Sequence, residues 1–148
     1  MIEIKHQTFI RAQIDEVYKI LTTAEGWNSW FTNQSRLYLH ADGTGEIKLK
    51  WTNFGSNCVT IEDGGKILEA IPNKSFVFQW SPGENITTVS FKLENYNNGT
   101  LLKLIETGYS PSTNDIQACI ECASGWGEAL TLLKVYIEHG LIFKKDII

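Results

Sequence analysis

Ser124-Gly-Trp-Gly-Glu-Ala-Leu-Thr-Leu-Leu-Lys-Val-Tyr-Ile-Glu-His-Gly140 is the stretch that decides the fold. Trp126, Leu130, Leu133 and Ile137 recur at helical spacing and share one stripe. Ala129, Leu132 and Tyr136 widen that stripe, whereas Glu128, Lys134 and Glu138 fall towards the opposite side. Gly140 stands where a helix C-cap needs φ > 0. The polar joint Pro111 to Asp115 supplies the start, capped through Ser112, Thr113 or Asn114. The expectation is a long C-terminal helix with one broad apolar face, and the segments before it must supply the surface that receives that face.

Those segments read as strands. From Leu37 to Glu106, short alternating runs are separated by turn residues. Leu37 and Leu39 come first, then Asp42-Gly43 signals a hairpin. Gly45, Ile47, Leu49 and Trp51 share one face, and Asn53-Phe-Gly-Ser forms a loop. Val59 and Ile61 precede Asp63-Gly-Gly65, read as a tight turn. A strand from Ile67 to Ile71 stops at Pro72-Asn73. Phe76, Phe78 and Trp80 share a face, as do Val89, Phe91 and Leu93, and Leu102, Leu104 and Glu106. Ser81-Pro-Gly83 and Asn95 to Gly99 are the intervening turns. Strands joined this tightly make an antiparallel meander.

The N-terminal part starts with a strand in which Ile2, Ile4, His6, Thr8 and Ile10 share a face. Asp15 opens a short helix with Val17, Ile20 and Leu21 as its stripe, and Gly26 breaks it. Trp27, Trp30 and Phe31 follow in a second helical turn, either plugging the core or forming the lip of a pocket. The order is α+β: strand, two short helices, about six strands, one long helix.

The 148 residues fit one domain, 1–148, of a size that buries roughly 70% of its unfolded surface. An apolar share of 43% and a charged share of 20% are ordinary for a globular protein. A net charge of −4 argues against nucleic acid as partner, since phosphate binding needs a basic surface. Lys48 and Lys50 beside Trp51 read as a solvated strand face. No stretch reaches the ~20 apolar residues of a membrane span. The N-terminus alternates and carries Glu3, unlike a signal peptide. With an odd count of three cysteines, this suggests a cytoplasmic protein with free thiols. Cys119-Ile-Glu-Cys122 has redox-like or zinc-like spacing, but lacks a second local pair and a βαβ context. It reads as two ordinary helix cysteines, and neither metal nor cofactor is expected.

This element order and several local patterns resemble the START-like (SRPBCC, Bet v 1-like) superfamily. Within it the sequence is most similar to the family related to the C-terminal domain of the activator of heat shock protein 90 ATPase. Ile10-Arg-Ala-Gln-Ile-Asp-Glu-Val-Tyr18 stands in place of the family's apolar-x-Ala-Pro-x-x-x-Val-Trp opening, with Gln13 for Pro and Tyr18 for Trp. Trp30-Phe31, Gly65 to Pro72 with Phe76-Val-Phe-Gln-Trp80, Gly99-Thr100 through Glu106-x-Gly108, and Ser124-Gly-Trp126 with Leu130, Leu133, Tyr136 and Gly140 follow at the family's spacing. The resemblance implies a helix-grip fold: a curved antiparallel sheet of about six or seven strands around the long C-terminal helix, with an apolar cavity between them. The chain leaves no room for the extra N-terminal domain of eukaryotic chaperone activators, so a chaperone contact is kept as an alternative only.

Alternation then proposes the cavity wall. Trp51, Phe76, Phe78, Trp80, Phe91 and Trp126 give it an aromatic lining, joined by His6, Trp30, Leu104, Glu106, Leu130 and Leu133. The expected ligand is a hydrophobic or aromatic small molecule, lipid-, polyketide- or flavonoid-like. The reading favours a binding module over an enzyme and assigns no catalytic residue. The alternative is a cyclase- or hydrolase-like enzyme using an inward-facing Glu106, its pKa raised by burial, with His6 as partner.

Overall fold

The structure, a computed structural model, describes residues 2–146. Strand β1 (Glu3–Ile10) leads into helices α1 (Ile14–Leu21) and α2 (Ala24–Trp30). Six strands follow: β2 (Arg36–Leu39), β3 (Gly45–Phe54), β4 (Val59–Ile71), β5 (Ser75–Trp80), β6 (Thr87–Tyr96) and β7 (Gly99–Thr107). Helix α3 (Thr113–His139) comes next, then a short 3-10 turn at Lys144–Asp146. The strands form one antiparallel sheet in the order β1-β7-β6-β5-β4-β3-β2. Chain neighbours are sheet neighbours throughout, except that β1 pairs with β7. This is the α+β, helix-grip layout, with α3 lying against β1.

The alternation read from the sequence is the alternation of the sheet. Ile47, Leu49 and Trp51 of β3, Phe76, Phe78 and Trp80 of β5, Val89, Phe91 and Leu93 of β6, and Leu102, Leu104 and Glu106 of β7 are all buried on the inner face. Each tight turn fixes its register. Gly43 between β2 and β3, Asn73 between β4 and β5, and the two-residue Asn97-Asn98 connection between β6 and β7 adopt positive φ, as tight reversals of the chain favour. Trp126, Ala129, Leu130 and Leu133 of α3 close over this face.

Helix α3 is defined at both ends. The Ser112 hydroxyl accepts from the Asp115 amide at 3.1 Å, and Gly140 closes the helix at φ 68° with its amide on Tyr136 O at 2.8 Å. Asp115 has no exposed surface. Its Oδ1 accepts from the Glu84 amide at 2.6 Å and its Oδ2 from the Ser110 amide at 2.7 Å. Glu84 reaches back to Asn114 Nδ2 at 2.7 Å and Ser112 Oγ at 3.0 Å. The β5–β6 loop is thereby stapled to the helix start.

Four details depart from the sequence reading. Asp63-Gly-Gly65 is not a turn; it lies inside β4, which runs unbroken over 13 residues. A Cβ on Gly64 would sit 2.2 Å from Ile47 O, and one on Gly65 2.4 Å from Gln79 O, so close strand approach explains both glycines. Gly26 does not end the first helix; it lies within α2, where a Cβ would meet Ile20 O at 2.1 Å. Asn53 and Phe54 belong to β3, with Asn53 at φ 53° beside an irregularity in the β3–β4 register. Lys134 and Glu138 do not point away from the sheet. Lys134 donates to Phe9 O and to Glu138 at 2.5 Å, and Glu138, its side chain only 6% exposed, accepts the Arg11 amide at 2.9 Å.

Candidate ligand-binding cleft

The inner face is not sealed along its whole length. Beyond the packed centre, a cleft of about 400 Å³ opens between the ends of β3–β5 and the first half of α3. That volume lies within the roughly 300–1,000 Å³ of small-molecule sites. Trp51 and Phe54 wall it from β3, Ile61, Glu62 and Asp63 from β4, and Trp80, Ser81 and Pro82 from the end of β5. Ala118, Glu121, Cys122, Gly125 and Trp126 form the helix side, at the i, i+3, i+4, i+7 and i+8 positions of one face. Phe31 closes the edge.

The aromatic walls are braced from behind. Trp27 packs on Trp30 (centroids 5.0 Å), Trp30 stacks on Phe31 (5.1 Å, 14°), and Phe31 meets Trp51 edge-on (5.2 Å). Trp80 and Trp126 face each other across sheet and helix at 5.5 Å. Both indoles are held by one group. Glu106, fully buried on β7, accepts Trp80 Nε1 at 2.7 Å and Thr87 Oγ1 at 2.6 Å on Oε2, and Trp126 Nε1 at 2.9 Å on Oε1. A buried donor left without a partner costs about 1–3 kcal/mol, so these bonds to Glu106 fix both tryptophans in place.

The expected site residues therefore divide. Trp51, Trp80 and Trp126 line the cleft, and Glu106 supports two of them from beneath. Phe76, Phe78, Phe91, Leu104 and Leu133 have no exposed surface, Trp30 and Leu130 almost none, and none of them lines the cleft. They are the packed centre that ends the opening. His6 is not brought to Glu106: its Nε2 meets Ala123 O of α3 at 2.9 Å, and Ile4, not His6, is the register partner of Glu106. Phe31, read with Trp27 and Trp30 as core plug or pocket lip, is at the edge, and Phe54, Asp63, Cys122 and Gly125 are lining residues that the pattern did not single out. Asp63 was hidden by its reading as a turn residue, and Gly125 has no side chain to give a period.

Four titratable groups sit at or near the cleft. Burial pushes the Asp63 carboxyl above the usual carboxylate range, helped by nearby Glu106 and opposed by the amides that bond it. Those amides are Gly64 N at 2.7 Å and Ser81 N at 2.9 Å, both on Oδ1. Burial also pushes the Cys122 thiol up to about 11 and raises Cys119, so both stay protonated at neutral pH and are poor nucleophiles. Tyr109 is raised as well, first by burial and then by Cys122 and Glu106. Among the described residues no group of three or more His, Cys, Asp or Glu is placed to hold a metal ion, and no helix is long and apolar enough to cross a membrane.

Comparison with known proteins agrees with this architecture. The profile of the family described as Activator of Hsp90 ATPase homolog 1-like protein matches residues 11–138. No curated protein matches the sequence significantly. The solution structure of the Aha1 dimer from Colwellia psychrerythraea is similar at 27% identity and a TM-score of 0.72, over 95% of this chain and 98% of that one. CalU16 from Micromonospora echinospora is similar at 23% identity and a TM-score of 0.69, over 93% of this chain and 77% of that one. The di-domain ARO/CYC StfQ from the steffimycin biosynthetic pathway is similar at 13% identity and a TM-score of 0.71, over 93% of this chain and 51% of that one. The last two likenesses show the fold alone.

Proposed function

The chain belongs to the family of Activator of Hsp90 ATPase homolog 1-like proteins, and from that premise we propose that it is a binding module for a small aromatic or otherwise apolar molecule held in the cleft. The observation that carries this is the cleft itself. It is walled by Trp51, Trp80, Trp126, Phe31 and Phe54, two of whose rings are locked by a buried carboxylate. Pre-positioned rings bind without a further ordering cost. The same fold is found in DynU16, from the dynemicin biosynthetic locus, and in the ARO/CYC StfQ, which is consistent with a ligand-binding module.

The enzyme alternative finds less support. Glu106 is spent on three donors and His6 on the helix backbone, so the two do not form an acid–base pair. A protein contact has one observation in its favour: Ile86, Ile116 and Ile120 are exposed where the β5–β6 loop meets α3. A chaperone partner follows from the family description alone.

The test uses Gly125, which lines the cleft and where an added Cβ would meet nothing within 4 Å. Gly125→Leu therefore puts a side chain into the opening from a Cβ position that is free, and replaces a poor helix former with a good one. NMR titration of a flavonoid and an uncharged fatty alcohol is expected to give saturable shifts at the indole N–H signals of Trp51, Trp80 and Trp126, lost in Gly125→Leu. No saturable shift from either class, or shifts unchanged in Gly125→Leu, overturns the reading.

A further inference from the structure

Resting on that cleft as the binding site, we infer that its ligand is a cation: an organic ammonium with an apolar or aromatic body. Every charged side chain lining the cleft is acidic, namely Glu62, Asp63 and Glu121, and no Lys, Arg or His lines it among the described residues. Five aromatic rings complete the wall. An aromatic face attracts a cation through its quadrupole, Trp most strongly, and a desolvated cage of such rings is how proteins take up quaternary ammonium groups.

The three acids are not equivalent. Glu62 is exposed and already paired with Lys48 at 3.2 Å and Lys50 at 3.4 Å. Glu121 takes the Gln117 amide at 3.0 Å. Asp63 is the half-buried one: both of its hydrogen bonds fall on Oδ1, and Oδ2 accepts none among the described residues. Behind the wall, the Glu106 carboxyl is bound among the described residues by two indoles and a hydroxyl and by no cation. The facing thiol of Cys122 is neutral. Lys144 and Lys145 border a neighbouring groove that shares Phe31, Trp51 and Phe54, but the Lys144 ammonium is committed to the Asn28 and Thr32 carbonyls. A ligand ammonium in the cleft thus meets rings and an uncommitted carboxylate oxygen. A fatty-acid carboxylate would meet like charge.

Three phenols of one shape separate the possibilities: 4-trimethylammoniophenol, its carbon isostere 4-tert-butylphenol, and 4-hydroxybenzenesulfonate. Each is titrated into the protein at neutral pH and low salt, and the indole N–H shifts of Trp51, Trp80 and Trp126 are followed. The ammonium is expected to bind at least about ten-fold more tightly than the tert-butyl compound, with the sulfonate weakest. Asp63→Asn keeps an oxygen for the Gly64 and Ser81 amides and is expected to weaken the ammonium far more than 4-tert-butylphenol, removing most of that preference. Glu121→Gln, at an exposed position, is expected to reduce it less. If the tert-butyl compound binds as well as the ammonium, the charge inference fails and the apolar-ligand reading stands. A preference that persists in both variants also overturns the inference. No saturable shift from any of the three overturns both readings.

Discussion

Glu106 changes meaning once its surroundings are known. From the sequence it is an inward carboxylate that could act as acid or base; in the structure it is a fixed acceptor for two indoles and a hydroxyl. Glu106→Gln tests which description holds. An amide offers one oxygen and one NH₂ where three donors converge, so at least one indole N–H faces another donor or loses its partner. A buried donor left unsatisfied costs about 1–3 kcal/mol. The variant is expected to lose that much in urea denaturation, and ligand affinity should fall with it because Trp80 and Trp126 lose their brace. Unchanged stability with lost turnover of some substrate would instead restore the catalytic reading. That Glu106 points inward was legible from period-2 alternation with Leu102 and Leu104. Its donors come from three other elements, and no local pattern encodes them. The same holds for His6, placed inward correctly but bonded to a carbonyl 117 residues away.

The elements carry two expectations of their own. The N-terminus of α3 is held by Asp115, whose carboxyl the Ser110 amide, against some opposition from burial, keeps below the usual carboxylate range. A carboxyl depressed in the folded state adds stability above its unfolded pKa, and that stability disappears as pH falls through the folded value. Thermal unfolding followed by circular dichroism should therefore show a loss of Tm in acid, below about pH 4, that is smaller in Asp115→Asn, whose Tm at neutral pH is already lower. Strand β4 carries the other expectation. Gly64 meets backbone, the Ile47 carbonyl, which cannot yield as a flexible side chain can. Gly64→Val should cost about 1–3 kcal/mol, as overpacking does, with amide-exchange protection falling in β3 and β4 first. Asp-Gly-Gly carries the same residues whether the chain reverses or two strands approach closely, so the sequence could not distinguish these cases. That ambiguity also concealed Asp63.

Taken as a whole, the molecule divides its long helix between two tasks, and that division was only half legible. The strand phases, the meander order and the apolar stripe of α3 all follow from local periodicity and turn chemistry. Which inward rings face open space follows from how deeply each is stacked, and this depends on the summed volumes of residues far apart in the chain. Phe78, Phe91 and Trp126 all point inward, yet only Trp126 reaches the cleft. The C-terminal half of α3 is packed through Leu130 and Leu133 and tied to the β1 end by Lys134 and Glu138; the N-terminal half overlooks the opening. Stability and binding should therefore separate along one helix. Leu133→Ala removes a fully buried side chain and should cost about 2–5 kcal/mol while leaving cleft affinity, measured where the variant is folded, within a factor of about two. Gly125→Leu, two turns earlier, should do the reverse: Tm unchanged or raised by the gain in helix propensity, and binding lost. Urea denaturation paired with the same ligand titration reads both quantities. Should the two substitutions change stability and affinity together, the helix and its opening form a single cooperative site, and a preformed cleft beside an independent core is the wrong description.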